Sequence, residues 1–189
     1  MKKFISILLI AVLVIGLVAC TDDQKPDDNN IGKDPIEDLT DDENRDDESN
    51  LSEEVTLYFA NKEYIDTGNE ELEKLISEKK VVEYDGVSLE EAIVSELMKN
   101  PENKNLSSSI PTTAKLLKVE TSDGTAYVDF ATDGMNGGSL QEFFTINQIV
   151  ASLLELDNVD RVQFLINGEK VDTLMGHFTV DEPFENIME

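Results

Sequence analysis

Residues 117–130 read Leu-Lys-Val-Glu-Thr-Ser-Asp-Gly-Thr-Ala-Tyr-Val-Asp-Phe. Polar and apolar residues roughly alternate on either side of Asp123-Gly124, a dipeptide that favours a two-residue type I′ turn because both central positions take φ > 0. That turn predicts a hairpin with Val119 opposite Val128 and Leu117 opposite Phe130 on one face, and Lys118 opposite Asp129 on the other. Asn167-Gly168 predicts a second hairpin, with Phe164 facing Val171 and Gln163 facing Asp172. Two independent turns give the same apolar-in, polar-out result.

Between the hairpins the sequence predicts a long helix, Ser139 to Leu156. Its apolar residues Leu140, Phe143, Phe144, Ile146, Ile149, Val150, Leu153 and Leu154 make a stripe too wide for a surface helix, so it should lie against a sheet with its flanks covered. Upstream, Ser88-Leu89-Glu90-Glu91 reads as a capping box, in which Ser88 and Glu91 satisfy each other's backbone N–H groups. Leu89, Ala92, Ile93 and Leu97 then form one apolar stripe, and Pro101 stops the helix. Glu102 to Thr113 is polar and irregular. Val55-Thr56-Leu57-Tyr58-Phe59 reads as a strand. Asn69 to Tyr84 suits a helix at Leu72, Leu75 and Ile76 and a strand at Lys80-Val81-Val82-Glu83-Tyr84, giving a short helical turn followed by a strand. The order is α+β: a single two-layer domain with helices packed on a mainly antiparallel sheet.

The sequence has 189 residues, with 41 acids against 15 bases and a net charge of −26. Such a charge excludes phosphate-neutralising contact with nucleic acid and electrostatic adhesion to anionic lipid. One Cys and one His exclude an internal disulfide framework and zinc sites built from several such ligands.

Lys2 and Lys3 precede an apolar run from Phe4 to Val18, shorter than the ~20 residues a spanning helix needs, so residues 1–19 read as a signal peptide. Leu17-Val18-Ala19-Cys20 resembles the bacterial lipobox. The resemblance implies cleavage between Ala19 and Cys20 and lipidation of Cys20; the other reading is an uncleaved signal anchor with a small buried Cys. Losing Lys2 and Lys3 would take the charge from −26 to −28, so only a lipid would hold the chain on a membrane. From Thr21 to Glu54, 15 acids and three bases accompany only four large apolar residues. Residues 20–54 are therefore expected to be a lipidated Cys and an acidic disordered tether. Asp42, Asn44, Asp46 and Glu53 have the spacing of EF-hand calcium ligands, but Asp47 stands where the loop needs Gly, and the expectation is a solvated spacer with no metal.

The remaining residues, 55–189, carry 26 acids and ten bases and suffice for one core. Several pieces resemble the GerMN domain of sporulation and spore-germination proteins. They are Val55-Thr56-Leu57-Tyr58-Phe59, the charged strand from Leu75 to Val82, Ile110-Pro111 before a hairpin, Gly137-Gly138-Ser139, Val162 to Gly168, and Thr173-Leu174-Met175-Gly176-His177. The resemblance spans about Val55 to Phe184. It implies a fold like the ring-building modules of spore-envelope secretion channels, and hence an interaction unit.

Catalytic signals are poor. His177 has no G-x-S-x-G elbow to serve, and a capping or packing role suits it better. Asp133-Gly134-Met135-Asn136-Gly137-Gly138 lacks a P-loop Lys and reads as an entry loop. No cofactor is expected. Tyr58, Tyr64 and Phe178 are candidate exposed interface anchors. The function expected is a non-enzymatic, lipid-anchored module on the outer face of the cytoplasmic membrane of a single-membrane spore former. There it would support an envelope complex in sporulation or germination through protein partners. The alternative is an extracytoplasmic binding lipoprotein for a small molecule, cell-wall fragment or calcium, and a third reading is a hydrolase acting on the wall.

Overall fold

The computed structural model describes residues 51–189. The leader, Ala19, Cys20 and the tether up to Asn50 lie outside the described residues. The chain runs β1 (Ser52–Asn61), α1 (Lys62–Thr67), β2 (Leu75–Glu83), α2 (Leu89–Leu97), β3 (Leu106–Ser107), β4 (Leu116–Ser122), β5 (Thr125–Phe130), α3 (Ser139–Leu153), β6 (Arg161–Ile166) and β7 (Glu169–Lys170). The α+β reading holds, but the strands divide into two sheets, of order β2-β1-β3 and β4-β5-β6-β7. All pairings are antiparallel except β5 with β6, which run parallel because α3 carries the chain between them.

The folded domain starts earlier than composition predicts. Ser52, Glu53 and Glu54 are strand residues paired with Glu83, Val82 and Val81. Glu53, the twelfth position of the EF-hand-like pattern, is thus part of a β-ladder. Asn69–Tyr84 contains no helix: the strand starts at Leu75, and the helical turn lies before the stretch, at α1. Asn61 caps α1 by accepting from the Glu63 N–H, and Gly68 ends it in the left-handed conformation.

Both I′ turns form. Asp123 and Gly124 have φ of 50° and 72°, Asn167 and Gly168 φ of 51° and 80°. Val119 faces Val128 and Lys118 faces Asp129 as expected. Phe130, however, faces Leu116, because a bulge at Leu117 turns that side chain out to 50% exposure. The second ladder stops at Lys170, so neither Phe164–Val171 nor Gln163–Asp172 pairs. Instead the C-terminal segment joins β6, with Val162 and Phe184 exchanging both main-chain bonds at 2.9 and 2.8 Å. This covers the face expected to be polar and solvated. Gln163 is fully buried, and its Nε2 donates to the Phe164 and Val180 carbonyls.

Ser88 caps α2, its hydroxyl accepting from the Glu91 N–H at 3.1 Å. The other half of the box is replaced by a tertiary contact: the Glu91 carboxylate accepts from the Val119 N–H, and the neighbouring Glu90 accepts from Thr121 Oγ1 and Asn158 Nδ2. One main core joins both sheets to α2 and α3, through Leu57, Phe59, Ile93, Leu97, Phe130 and Phe164 among others.

Candidate functional site: an aromatic trench along helix α3

α3 is buried almost all round from Glu142 onward, and its polar residues are buried with the apolar ones. Burial without a partner costs roughly 1–3 kcal/mol per polar group, and among the described residues of the helix Gln148 Nε2 is the buried side-chain atom left without one. Thr145 donates to the Ser109 carbonyl and the Gln148 carbonyl oxygen Oε1 accepts from the Ser109 N–H. Asn147 bonds both the N–H and the C=O of Met188. The Ser152 hydroxyl donates to the Gln148 carbonyl and accepts from the Tyr58 N–H at 2.9 Å, fastening α3 to the edge of β1 that no strand covers at that point.

The most demanding of these residues is Glu142. Its fully buried carboxylate accepts from the backbone N–H groups of Leu174, Met175 and His177 at 2.9, 2.7 and 2.8 Å. The second oxygen also meets His177 Nδ1 at 3.0 Å. Four contacts on one carboxylate hold the loop between Thr173 and Thr179, itself closed by an antiparallel bridge. Gly137 permits the close approach: a Cβ there would lie 2.9 Å from Met175 Sδ and 2.6 Å from Gln141 Oε1. The exposed His177 ring bonds only Glu142 among the described residues, so it serves the clamp through that hydrogen bond and not by packing.

With this loop fixed, four aromatic rings line up beside the start of α3. Tyr64 and Phe144 meet edge-on at 5.9 Å, Phe144 and Phe143 at 5.3 Å, and Phe143 leans on Phe178 at 5.9 Å. Lys74 Nζ sits 5.3 Å from the Phe143 centroid, within cation–π range. Three adjoining hollows run along this row. The first, about 480 Å³, lies over Ile65, Ser109, Leu140 and Phe144; the second, about 240 Å³, between Tyr64, Lys74 and Phe178; the third, about 370 Å³, between Tyr58, Leu75, Ile187 and Met188. Leu140 and Ile187, each 48% exposed, stand at the two ends.

The three candidate anchors thus share one trench, but not as exposed rings. Tyr64 is 9% exposed and packs into a small satellite core, its hydroxyl bonded to Glu70. Tyr58 and Phe178 are half-buried. The Tyr58 hydroxyl donates to Glu155 at 2.8 Å, and that bond, together with burial and the carboxylate's charge, raises its pKa above the ordinary tyrosine value. Leu140 is the exposed anchor that periodicity hides, since it sits on the same helical stripe as the core. Among the residues lining the three hollows Lys74 is the one base, with Glu73 and Glu189 opposite in sign.

The sequence profile of the Germane family, described as sporulation and spore germination, matches residues 56–172. The chain belongs to that family. Two solved structures share its fold. The tandem GerMN domains of the sporulation protein GerM from Bacillus subtilis align at a TM-score of 0.56 and 21% identity, over 82% of this chain and 49% of that one. The present chain therefore spans about half the length of the tandem structure. The first GerMN domain alone aligns at 0.55 and 16% identity, over 68% and 92%. A Clostridium perfringens protein provisionally described as a lipoprotein aligns at a TM-score of 0.45 and 22% identity, over 70% and 87%. No curated protein matches the chain. Among the described residues of this Germane chain, no helix is long and apolar enough to cross a membrane, and no group of three or more His, Cys, Asp or Glu is placed to hold a metal.

Proposed function

We propose that this Germane-family chain is a lipid-anchored extracytoplasmic interaction module that supports an envelope complex in sporulation or germination. The observation that carries this reading is the trench. Half-buried aromatic rings and exposed Leu140 lie beside α3 in three shallow, adjoining hollows, and interface energy concentrates in such aromatic anchors. Glu142, Thr145, Asn147 and Ser152 are committed to holding α3 and its loop, and among the described residues no nucleophile bonds the His177 ring. The lipobox resemblance supports the anchor: Cys20 would carry the acyl chains, and the acidic segment after it would set the domain off from the headgroups.

The test is a spore former carrying Leu140→Asp or Leu117→Asp in place of its own copy. Both leucines are about half exposed, at 48% and 50%, but Leu117 is on the β4 bulge, away from the trench. Leu140→Asp is expected to lower heat-resistant spore counts or germination, and Leu117→Asp to leave both unchanged at equal protein level. Equal behaviour of the two variants would refute the trench as the working surface. The anchor is tested separately: Cys20→Ala should abolish labelling by a fatty-acid probe, and persistent label would refute it.

A further inference from the structure

β2 is the outer strand of its sheet, and no strand lies on its far side among the described residues. The Asn61 N–H bonds the Lys74 carbonyl and the Tyr84 N–H bonds the Leu51 carbonyl, which fixes the phase of the β1–β2 ladder. Antiparallel pairs alternate between bonded and non-bonded, so Ile76, Glu78, Lys80 and Val82 exchange bonds with β1. The N–H and C=O groups of Leu75, Ser77, Lys79, Val81 and Glu83 consequently point outward. An open edge of this length is a template for another strand.

We propose that this edge pairs antiparallel with β2 of a second copy of the chain, about a two-fold axis at Lys79. The side chains are self-complementary in that register. Glu78 faces Lys80 of the second copy, Lys80 faces its Glu78, and Ile76 faces its Val82. These are non-hydrogen-bonded pairs, in which side chains approach most closely. The two Lys79 side chains at the axis are each held by their own Glu54, with Nζ to carboxylate at 3.0 Å. Val81, 61% exposed in the single chain, would lie beside Ser77 of the other. The proposed register also sets Lys79 opposite Lys79, but each has its own Glu54 and two Glu78–Lys80 pairs are made. Sliding the register by two residues in either direction loses both of those pairs and sets Glu78 against Glu78 or Lys80 against Lys80, and like charges directly opposite destabilise a sheet. The same charges repel strands of other sequence, which is how edge strands avoid indiscriminate pairing. The pattern therefore selects a second copy in one register.

The full chain tests this by mild oxidation of single-cysteine variants, with the parent and its Cys20 as background. Lys79→Cys places its sulfur opposite its own counterpart, where bonded-pair Cα atoms lie about 5.5 Å apart, within disulfide range. Ser77→Cys places its counterpart roughly 13 Å away along the strand. Cross-linked dimer is expected to be at least about tenfold greater for Lys79→Cys, since a disulfide tolerates the first separation and not the second. In sedimentation, Glu78→Lys and Lys80→Glu should each lose the dimer, and an equimolar mixture should regain it. Lys80 also pairs with Glu96, so Val81→Pro provides an independent check: it removes one outward N–H, leaves the β1 ladder intact, and should abolish dimer. Equal cross-linking at residues 77 and 79, a parent that stays monomeric, or a dimer that survives Val81→Pro would each overturn the proposal.

Discussion

Replacing Glu142 by Gln tests whether one buried carboxylate organises the trench wall. The two side chains have nearly the same shape, so packing is retained and only the hydrogen bonding changes. In the native protein one oxygen serves Leu174 and Met175 and the other serves the His177 N–H and ring, all within 3.0 Å. An amide keeps the first oxygen and sets its NH₂ against the His177 N–H, donor against donor. A bond to a charged acceptor contributes about 1.5–3 kcal/mol and a buried unpaired donor costs about 1–3 kcal/mol. Relief of carboxylate desolvation offsets part of this. A net loss of about 3 kcal/mol is expected, which for a domain of this size lowers the melting midpoint by roughly 10 °C. Thermal unfolding measures the total, and amide exchange locates it. The Leu174, Met175 and His177 amides should exchange much faster, whereas those of β1 bonded to β2 should follow only the global change. A midpoint within a degree or two of the parent, with protection at Leu174 unchanged, would refute the clamp.

Removing residues 1–50 should leave the melting midpoint of the domain unchanged, whereas starting at Val55 removes three β1–β2 pairs and should lower it; equal midpoints for starts at Leu51 and Val55 would place the boundary back at residue 54. Acid should loosen α2. Burial pushes the Glu96 carboxyl up, but hydrogen bonds and charge from Lys80 and Lys99 outweigh it and hold it below the ordinary range. Burial likewise raises Glu90, and bonds from its own backbone, Asn158 and Thr121 prevail over it. A folded value below the unfolded one means stability that is complete above the ordinary carboxylate range and is lost as pH falls through the folded value. Melting midpoints should therefore drop from about pH 5 toward pH 3, where unperturbed carboxyls titrate, and Glu96→Gln should flatten that slope. His177→Ala, which leaves three backbone donors on Glu142, should keep the fold and any trench-dependent activity; loss of activity in a well-folded variant would favour a catalytic or ligand-binding role instead.

What the sequence made legible was whatever local chemistry decides alone. Two dipeptides with φ > 0 at both positions set both turns, and Ser88 marked the start of α2 because a hydroxyl at an N-cap satisfies an orphan N–H. What it hid depended on partners distant in the chain. The bulge at Leu117 shifts one residue of register, which alternation cannot see because the flanking residues Leu116 and Leu117 are both apolar. Glu91 forgoes its local bond for Val119, 28 residues away. α1 has six residues and one buried side chain, too few for a periodic stripe; its signals were the Asn61 cap and Gly68.

The trench was hidden for a related reason. Hydrophobic periodicity gives α3 a wide apolar stripe with covered flanks, but it says nothing of what Glu142, Thr145, Asn147, Gln148 and Ser152 do between those apolar positions. They are the buried fasteners that tie the helix to Ser109, to Met188, to β1 and to the loop ending at Phe178. Because these polar groups are fixed from several sides, the helix cannot rotate to bury Leu140, and its first turn must leave that side chain in solvent. Because Glu142 holds the loop, Phe178 must lie against Phe143 instead of folding inward. The exposed apolar row thus follows from the polar wiring beneath it, so substitutions at the buried Thr145 or Ser152, which bond Ser109 and Tyr58 of the trench lining, should alter the trench by letting α3 shift.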